Sequence, residues 1–174
     1  QETAYKALED RDGAVVVMEV KTGKILALVS KPDFDPNTLA ERWDDIVSDE
    51  NSSVLLNRVT SGLYPPGSTF KIFTTLEYVH ENSNYQDYSF DCEGELNVDG
   101  NEIHCYHKAV HGKETLKDSF ANSCNTSFSN IGLSLDISGF RNLCEDMLFN
   151  KKLPGSLAGS KSSFTLTADA DKGK

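Results

Sequence analysis

Ser68-Thr69-Phe70-Lys71 and Ser123-Cys124-Asn125 are the segments whose residue types and spacing point to chemistry. Along a helix, three residues bring two side chains onto one face, so a Ser-x-x-Lys string sets a hydroxyl beside an amine. A serine hydroxyl is a weak nucleophile until a base takes its proton, and a lysine of lowered pKa can be that base. Lys71 falls in a first helical turn among Phe70, Ile72 and Phe73, where the positive end of the helix dipole and desolvation both disfavour an ammonium. The same turn offers backbone N–H groups without intrahelical acceptors, which can hold a developing oxyanion. The string alone carries little weight: 18 serines and 13 lysines in 174 residues give about 1.3 matches by chance. Its position directly after Pro65-Pro66-Gly67, at the start of an amphipathic helix, is what distinguishes it. A capped helix with a solvated lysine is the other reading of these residues.

Ser123-Cys124-Asn125 lies on a short connection between two expected helices, where a hydroxyl can relay a proton and an amide can grip a substrate amide. Cys124 would then point away, into the core. The spacing is again near chance, and Asn125 as a plain helix N-cap remains the competing reading.

The elements around these residues follow from periodicity. Ala14–Val20 and Ile25–Val29 flank Lys21-Thr22-Gly23-Lys24, which predicts a β-hairpin. Its nearly continuous apolar arms predict that both faces are covered, as in a sheet between helices. The polar stretch through Ser53, with Trp43, reads as a surface excursion. A helix is predicted from about Ser68, with Ile72, Phe73, Leu76 and Val79 inward; a turn-punctuated β region from Phe90 to Cys105; and a short helix opened by a Thr115/Asp118 capping box, with Leu116 and Phe120 inward. Phe128, Ile131 and Leu135 mark another helix. The last, capped by Ser138, carries a stripe of Phe140, Leu143, Cys144, Met147 and Leu148.

Composition narrows the function. Seventeen basic against 27 acidic residues leave a net charge of −10, which disfavours nucleic acid and anionic membrane surfaces. No apolar run reaches the roughly 20 residues of a membrane span. Asp99-Gly100 predicts a turn that sets Cys92 opposite Cys105, as a disulfide or as two buried thiols. Zinc held by that pair with His104, His107 and His111 matches no common finger or ribbon spacing, so no metal or other cofactor is assigned. His80 reads as a surface residue.

These segments together resemble the penicillin-binding proteins, serine D,D-transpeptidases, over about residues 1–165. The resemblance rests on Gly13-Ala14-Val15-Val16, Thr22-Gly23-Lys24-Ile25-Leu26-Ala27, Asp35-Pro36-Asn37, Asn57-Arg58, Tyr64-Pro65-Pro66-Gly67-Ser68-Thr69-Phe70-Lys71 and Ser123-Cys124-Asn125. Its wording is that of the monofunctional class B type, clostridial or Gram-positive relatives in particular. The resemblance implies an α/β (α+β) fold of the serine β-lactamase/penicillin-binding transpeptidase kind, here its N-terminal part, with residues 166–174 a polar tail. It implies Ser68 as nucleophile, Lys71 as its base, Ser123 as proton relay and Asn125 as substrate-amide contact. The implied substrate is a peptidoglycan stem peptide ending in D-Ala-D-Ala, with β-lactams acylating the same serine. Implied partners are a cell-wall glycosyltransferase and either the rest of the domain or a second chain; the implied location is the extracytoplasmic face of the membrane, anchored by an N-terminal helix.

The family's third motif, Lys-Thr/Ser-Gly, has no match after Asn125; Lys21-Thr22-Gly23 falls in the first hairpin turn and reads as a decoy. Two other functions stay open on the sequence: a non-catalytic binding or structural fragment, and a β-lactamase or β-lactam sensor. The expected absence of the opposite cleft wall also predicts exposed edges on the first hairpin.

Overall fold

A computed structural model describes residues 1–155 and 157–166. They form two units, Gln1–Tyr64 with Lys152–Ser162 and Pro65–Lys151 with the chain from Ser163. Of the expected polar tail, only Leu166 lies among the described residues.

The first unit is built on the predicted hairpin, β1 (Gly13–Met18) antiparallel to β2 (Ile25–Lys31), with a bulge between Val17 and Met18. Lys21-Thr22-Gly23 closes the turn: Thr22 Oγ1 bonds Glu19, and Gly23 takes a φ of +71° that favours glycine. Helix α1 (Glu2–Ala7) packs on β2, and the Gln1 side-chain amide both accepts from the Leu28 N–H (2.8 Å) and donates to its carbonyl (2.6 Å), standing in for a strand partner. The apolar arms are not covered on both faces. Ala27 and Val29 are buried, whereas Val16, Val17, Met18, Ile25 and Leu26 are exposed, because a two-stranded ribbon with one short helix cannot cover two faces. The polar stretch contains a short helix, α2 (Trp43–Ser48), and Trp43 is half exposed. Asp35-Pro36-Asn37 and Asn57-Arg58 are turn elements of this unit: Asp35 Oδ1 accepts from the Asn37 N–H, Asn57 Oδ1 from the Val59 N–H, and Arg58 bonds Ser53.

In the second unit a 3-10 turn, Gly67–Phe70, runs into α3 (Lys71–Glu81). Two hairpin-like pairs follow, β3 (Ser89–Cys92) with β6 (Gly112–Thr115) and β4 (Glu95–Val98) with β5 (Asn101–His104), the latter closed at Asp99-Gly100 as predicted. Then come α4 (Leu116–Ala121), α5 (Asn125–Ser134) and α6 (Ile137–Asp146). The Thr115/Asp118 capping box forms on α4. Helix α6 is capped by Asp136 rather than Ser138, since the Asp136 carboxylate accepts from the Gly139 N–H at 2.6 Å.

The inward face of α3 matches the predicted one at Phe73 and Val79, which pack on the core, and departs from it at Ile72 and Leu76. Ile72 and Leu76 are exposed, while Phe70, Phe73 and Tyr78 face the core and Thr74 and Glu77 are buried. The reason is an aromatic cluster: the Phe70 ring lies 5.3–5.9 Å from those of Phe73, Phe140, Phe149 and Phe164, pulling that side of the helix inward. Gly139 lets α6 approach, because a Cβ there would stand 2.5 Å from Glu77 Oε1. Phe120 and Met147, predicted inward, are also exposed, although Phe120 keeps an edge contact with Phe128. Phe128, Ile131, Leu135, Phe140 and Cys144 are buried as predicted.

All four cysteines are free thiols. Cys92 and Cys105 do meet, with sulfurs 3.7 Å apart, which decides between the two readings in favour of buried thiols. The histidines predicted beside them separate. His104 faces Glu95 and Glu102, His107 stacks on Tyr106, and His111 alone reaches the sulfurs.

Candidate active site

The site is built where the start of α3 meets the turn before α5, both in the second unit. Gly67 adopts φ +56° with open space where a Cβ would lie, so the chain reverses out of Pro65-Pro66 without a steric cost and places Ser68 in the first turn. Phe70, in the middle of the motif, is held by four rings. Ser68 and Lys71 therefore project from a segment clamped on its opposite side, Ser68 exposed and Lys71 half-buried.

The second segment is held by polar and sulfur contacts. Ser123 has φ +51°, a left-handed conformation that costs a serine energy and persists only where the surroundings enforce it. Buried Glu114 accepts from Asn122 Nδ2 at 2.7 Å and from Ser119 Oγ at 3.4 Å; Ser119 and Ser127 share a 2.6 Å hydrogen bond, and Ser127 meets the Tyr88 hydroxyl at 2.9 Å. Cys124 is the N-cap of α5, its sulfur accepting from the Ser127 N–H at 3.4 Å. Asn125 is thus the first helical residue and not the cap, which frees its side chain for the site.

All four expected residues come together. The Lys71 ammonium donates to the Ser123 carbonyl (2.6 Å), Ser123 Oγ (2.9 Å) and Asn125 Oδ1 (2.7 Å), and Ser123 Oγ donates to Ser68 Oγ at 3.0 Å. Lys71 thus reaches Ser68 through Ser123, although the three-residue spacing predicts a direct meeting: the ammonium turns toward the Ser123 carbonyl, Ser123 Oγ and Asn125 Oδ1. Asn125 Nδ2 donates to the His104 carbonyl at 2.9 Å, so both ends of the amide are oriented by the protein. Burial pushes the Lys71 pKa down, against a weaker upward pull from Cys124 and Cys105. The ammonium also sits 5.3 Å from the centre of the Phe128 ring. The helix dipole, invoked from sequence, is not needed for this lowering. Chemically the arrangement is two hydroxyls and a partly desolvated amine joined in series by hydrogen bonds.

Residues 13–172 match the penicillin-binding protein transpeptidase domain. The chain belongs to that family. It is 35% identical over 143 residues to peptidoglycan D,D-transpeptidase PbpA of Mycobacterium tuberculosis, covering 75% of this chain and 29% of that protein. Against stage V sporulation protein D of Bacillus subtilis it is 33% identical over 150 residues, covering 85% and 22%. Among solved structures, the D,D-transpeptidase domain of a peptidoglycan glycosyltransferase from Eggerthella lenta superposes with a TM-score of 0.88 at 30% identity, over 99% of this chain and 41% of that one. Penicillin-binding protein A of M. tuberculosis as a ceftriaxone acyl-enzyme gives 0.79 at 30% identity, over 86% and 37%. The fold is that of the penicillin-binding transpeptidase domain over part of its length, and the chain spans less than a third of the curated relatives it matches.

Proposed function

We propose that this chain carries the nucleophile and proton-transfer half of a class B peptidoglycan D,D-transpeptidase. The observation that supports it is the hydrogen-bonded line from Ser68 through Ser123 to Lys71. With Lys71 neutral, Ser68 Oγ attacks the carbonyl of the penultimate D-Ala while its proton passes to Ser123 Oγ and the Ser123 proton passes to Lys71 Nζ. Collapse of the tetrahedral intermediate breaks the peptide bond. The terminal D-Ala leaves with the proton returned from Lys71, and the acyl group remains as an ester on Ser68. An acceptor amine then attacks that ester, loses its proton along the same line and restores the serine.

Asn125 is the contact for a substrate amide. Its amide has two N–H groups and two lone pairs, of which Lys71 and the His104 carbonyl engage one each, so by valence one donor and one acceptor site remain. β-Lactams acylate Ser68 by the same attack, their ring amide taking the place of the D-Ala-D-Ala bond. The opposite wall of the cleft comes from the rest of a transpeptidase domain or from a second chain. The donor peptide belongs to the cell wall, which sets the working location on the extracytoplasmic side of the membrane, with a glycosyltransferase as partner. No helix among the described residues is long and apolar enough to cross a membrane.

Fluorescent penicillin tests the reading in the protein bearing this chain. Stable labelling that disappears in Ser68→Ala is expected. Rapid turnover of the label would make the protein a β-lactamase, and no labelling beside a positive control would leave a non-catalytic module.

A further inference from the structure

Of the four rings around Phe70, that of Phe164 lies nearest, at 5.3 Å, and it comes from a segment without helix or strand. Two side chains grip that segment. Asn150 pairs with both backbone groups of Phe164: its Nδ2 donates to the carbonyl and its Oδ1 accepts from the N–H at 2.7 Å. Arg141 donates twice to the Leu166 carbonyl, from Nε at 3.1 Å and from Nη2 at 2.7 Å. We propose, on the transpeptidase reading above, that Asn150 and Arg141 are positioning residues for acyl transfer: by strapping residues 164–166 against Phe70 they set the Ser68–Ser123 hydrogen bond through which the proton leaves.

The grip is directional where the ring cluster is not. One donor and one acceptor matched to a single residue's carbonyl and N–H fix both the place and the rotation of the Phe164 backbone, as a neighbouring strand would. The turn that delivers Asn150 is costly. After α6 the Phe149 N–H bonds the Cys144 carbonyl at 2.9 Å and the Leu148 N–H bonds the Glu145 carbonyl at 3.1 Å, the helix-ending pattern that usually places glycine at the left-handed position. Here that position holds Leu148 at φ +68°, and Asn150 is left-handed as well, at φ +60°. Such conformations persist in non-glycine residues only where the surroundings enforce them. In return, the turn brings the Phe149 ring to 5.8 Å from that of Phe70 and the Asn150 amide onto the strap.

Phe70 stands between Ser68 and Lys71, so a shift of its ring moves both. The relay has little slack, because Ser123 Oγ and Ser68 Oγ are 3.0 Å apart, at the long end for a hydroxyl–hydroxyl bond. A misplacement of about 1 Å in reacting geometry can cost ~10²-fold in rate. Asn150 and Arg141 touch none of the proposed reacting atoms and act only through the strap and Phe70.

The test is the rate of β-lactam acylation, followed by intact mass in the protein bearing this chain, for wild type, Asn150→Ala, Ser123→Ala and the double variant. Asn150→Ala should slow wild type by about 10-fold or more and should slow Ser123→Ala no further, since the bond that the strap sets is already gone. Arg141→Ala should behave like Asn150→Ala, and Arg141→Lys, which keeps one donor for the Leu166 carbonyl, should slow acylation less; this pair decides even where Asn150→Ala fails to fold. Equal slowing in both backgrounds overturns the inference, because the strap would then support only the fold. So does acylation at the wild-type rate in Asn150→Ala or Arg141→Ala. A wild type that is not acylated beside a positive control overturns the transpeptidase reading itself, and this inference with it.

Discussion

The two turns of the candidate site deliver their hydroxyls to one point but are held from behind by different physics. Ser68-Thr69-Phe70-Lys71 is anchored by a phenylalanine among four other rings. Ser123-Cys124-Asn125 is anchored by a sulfur in a polar, donor-rich cluster and by the buried Glu114 network. In each motif the residue without a proposed chemical role points inward and sets the geometry. The difference concerns tolerance. An aromatic anchor is non-directional and depends on volume, whereas a strained left-handed serine needs directional contacts that fail when one partner is removed.

That contrast can be broken from either side. The largest stability effect is expected from Phe70→Ala, which empties the centre of the ring cluster and should cost about 3 kcal/mol in chemical denaturation, while Phe70→Leu, which refills part of the space, should cost clearly less. Glu114→Ala should cost about 1–3 kcal/mol, because it strands the Asn122 amide and the Ser119 hydroxyl. Its distinguishing sign is a loss of β-lactam acylation larger than its loss of stability, as the Ser123 turn relaxes. An equal loss of both would mean that the network supports the fold and not the turn.

A pH profile sharpens the comparison at the lysine. On the proposed relay only a neutral Lys71 amine can take up the proton that Ser123 passes on, and burial disfavours the ammonium. Acylation should therefore rise with pH on a limb lying below the ordinary lysine range, and Lys71→Ala should abolish that limb. A wild-type limb at the ordinary lysine value would show that the amine is not desolvated in solution. The smallest effect is expected from Ile72→Ser, within about 0.5 kcal/mol, since Ile72 is exposed despite its place in the apolar pattern of α3.

That last residue shows where the sequence is a poor guide. The hairpin turns at Gly23 and Asp99-Gly100, the α4 capping box and the buried Phe128, Ile131 and Cys144 are legible because they depend on local turn chemistry and on plain helical periodicity. The inward face of α3 is legible only at Phe73 and Val79, because Glu77 and Thr74 are buried on it and carry no apolar signal, while Ile72 and Leu76 carry one and face outward. The four site residues are legible as two motifs, yet the route between them is not. The lysine bonds across to three acceptors on the Ser123–Asn125 turn, 52 to 54 residues away in the chain, which no local spacing announces. Cys124 likewise reads only as a core residue, since its sulfur and nitrogen neighbours are set by strand register rather than by spacing along the chain.

The relay through Ser123 is the central claim, and the rate of β-lactam acylation in Ser123→Ala, followed by intact mass in the protein bearing this chain, tests it most directly. With Ser68 still the residue modified, the rate should fall by about 10² or more relative to wild type. Acylation of Ser123→Ala at the wild-type rate would contradict it, because Lys71 would then be taking the Ser68 proton by another path.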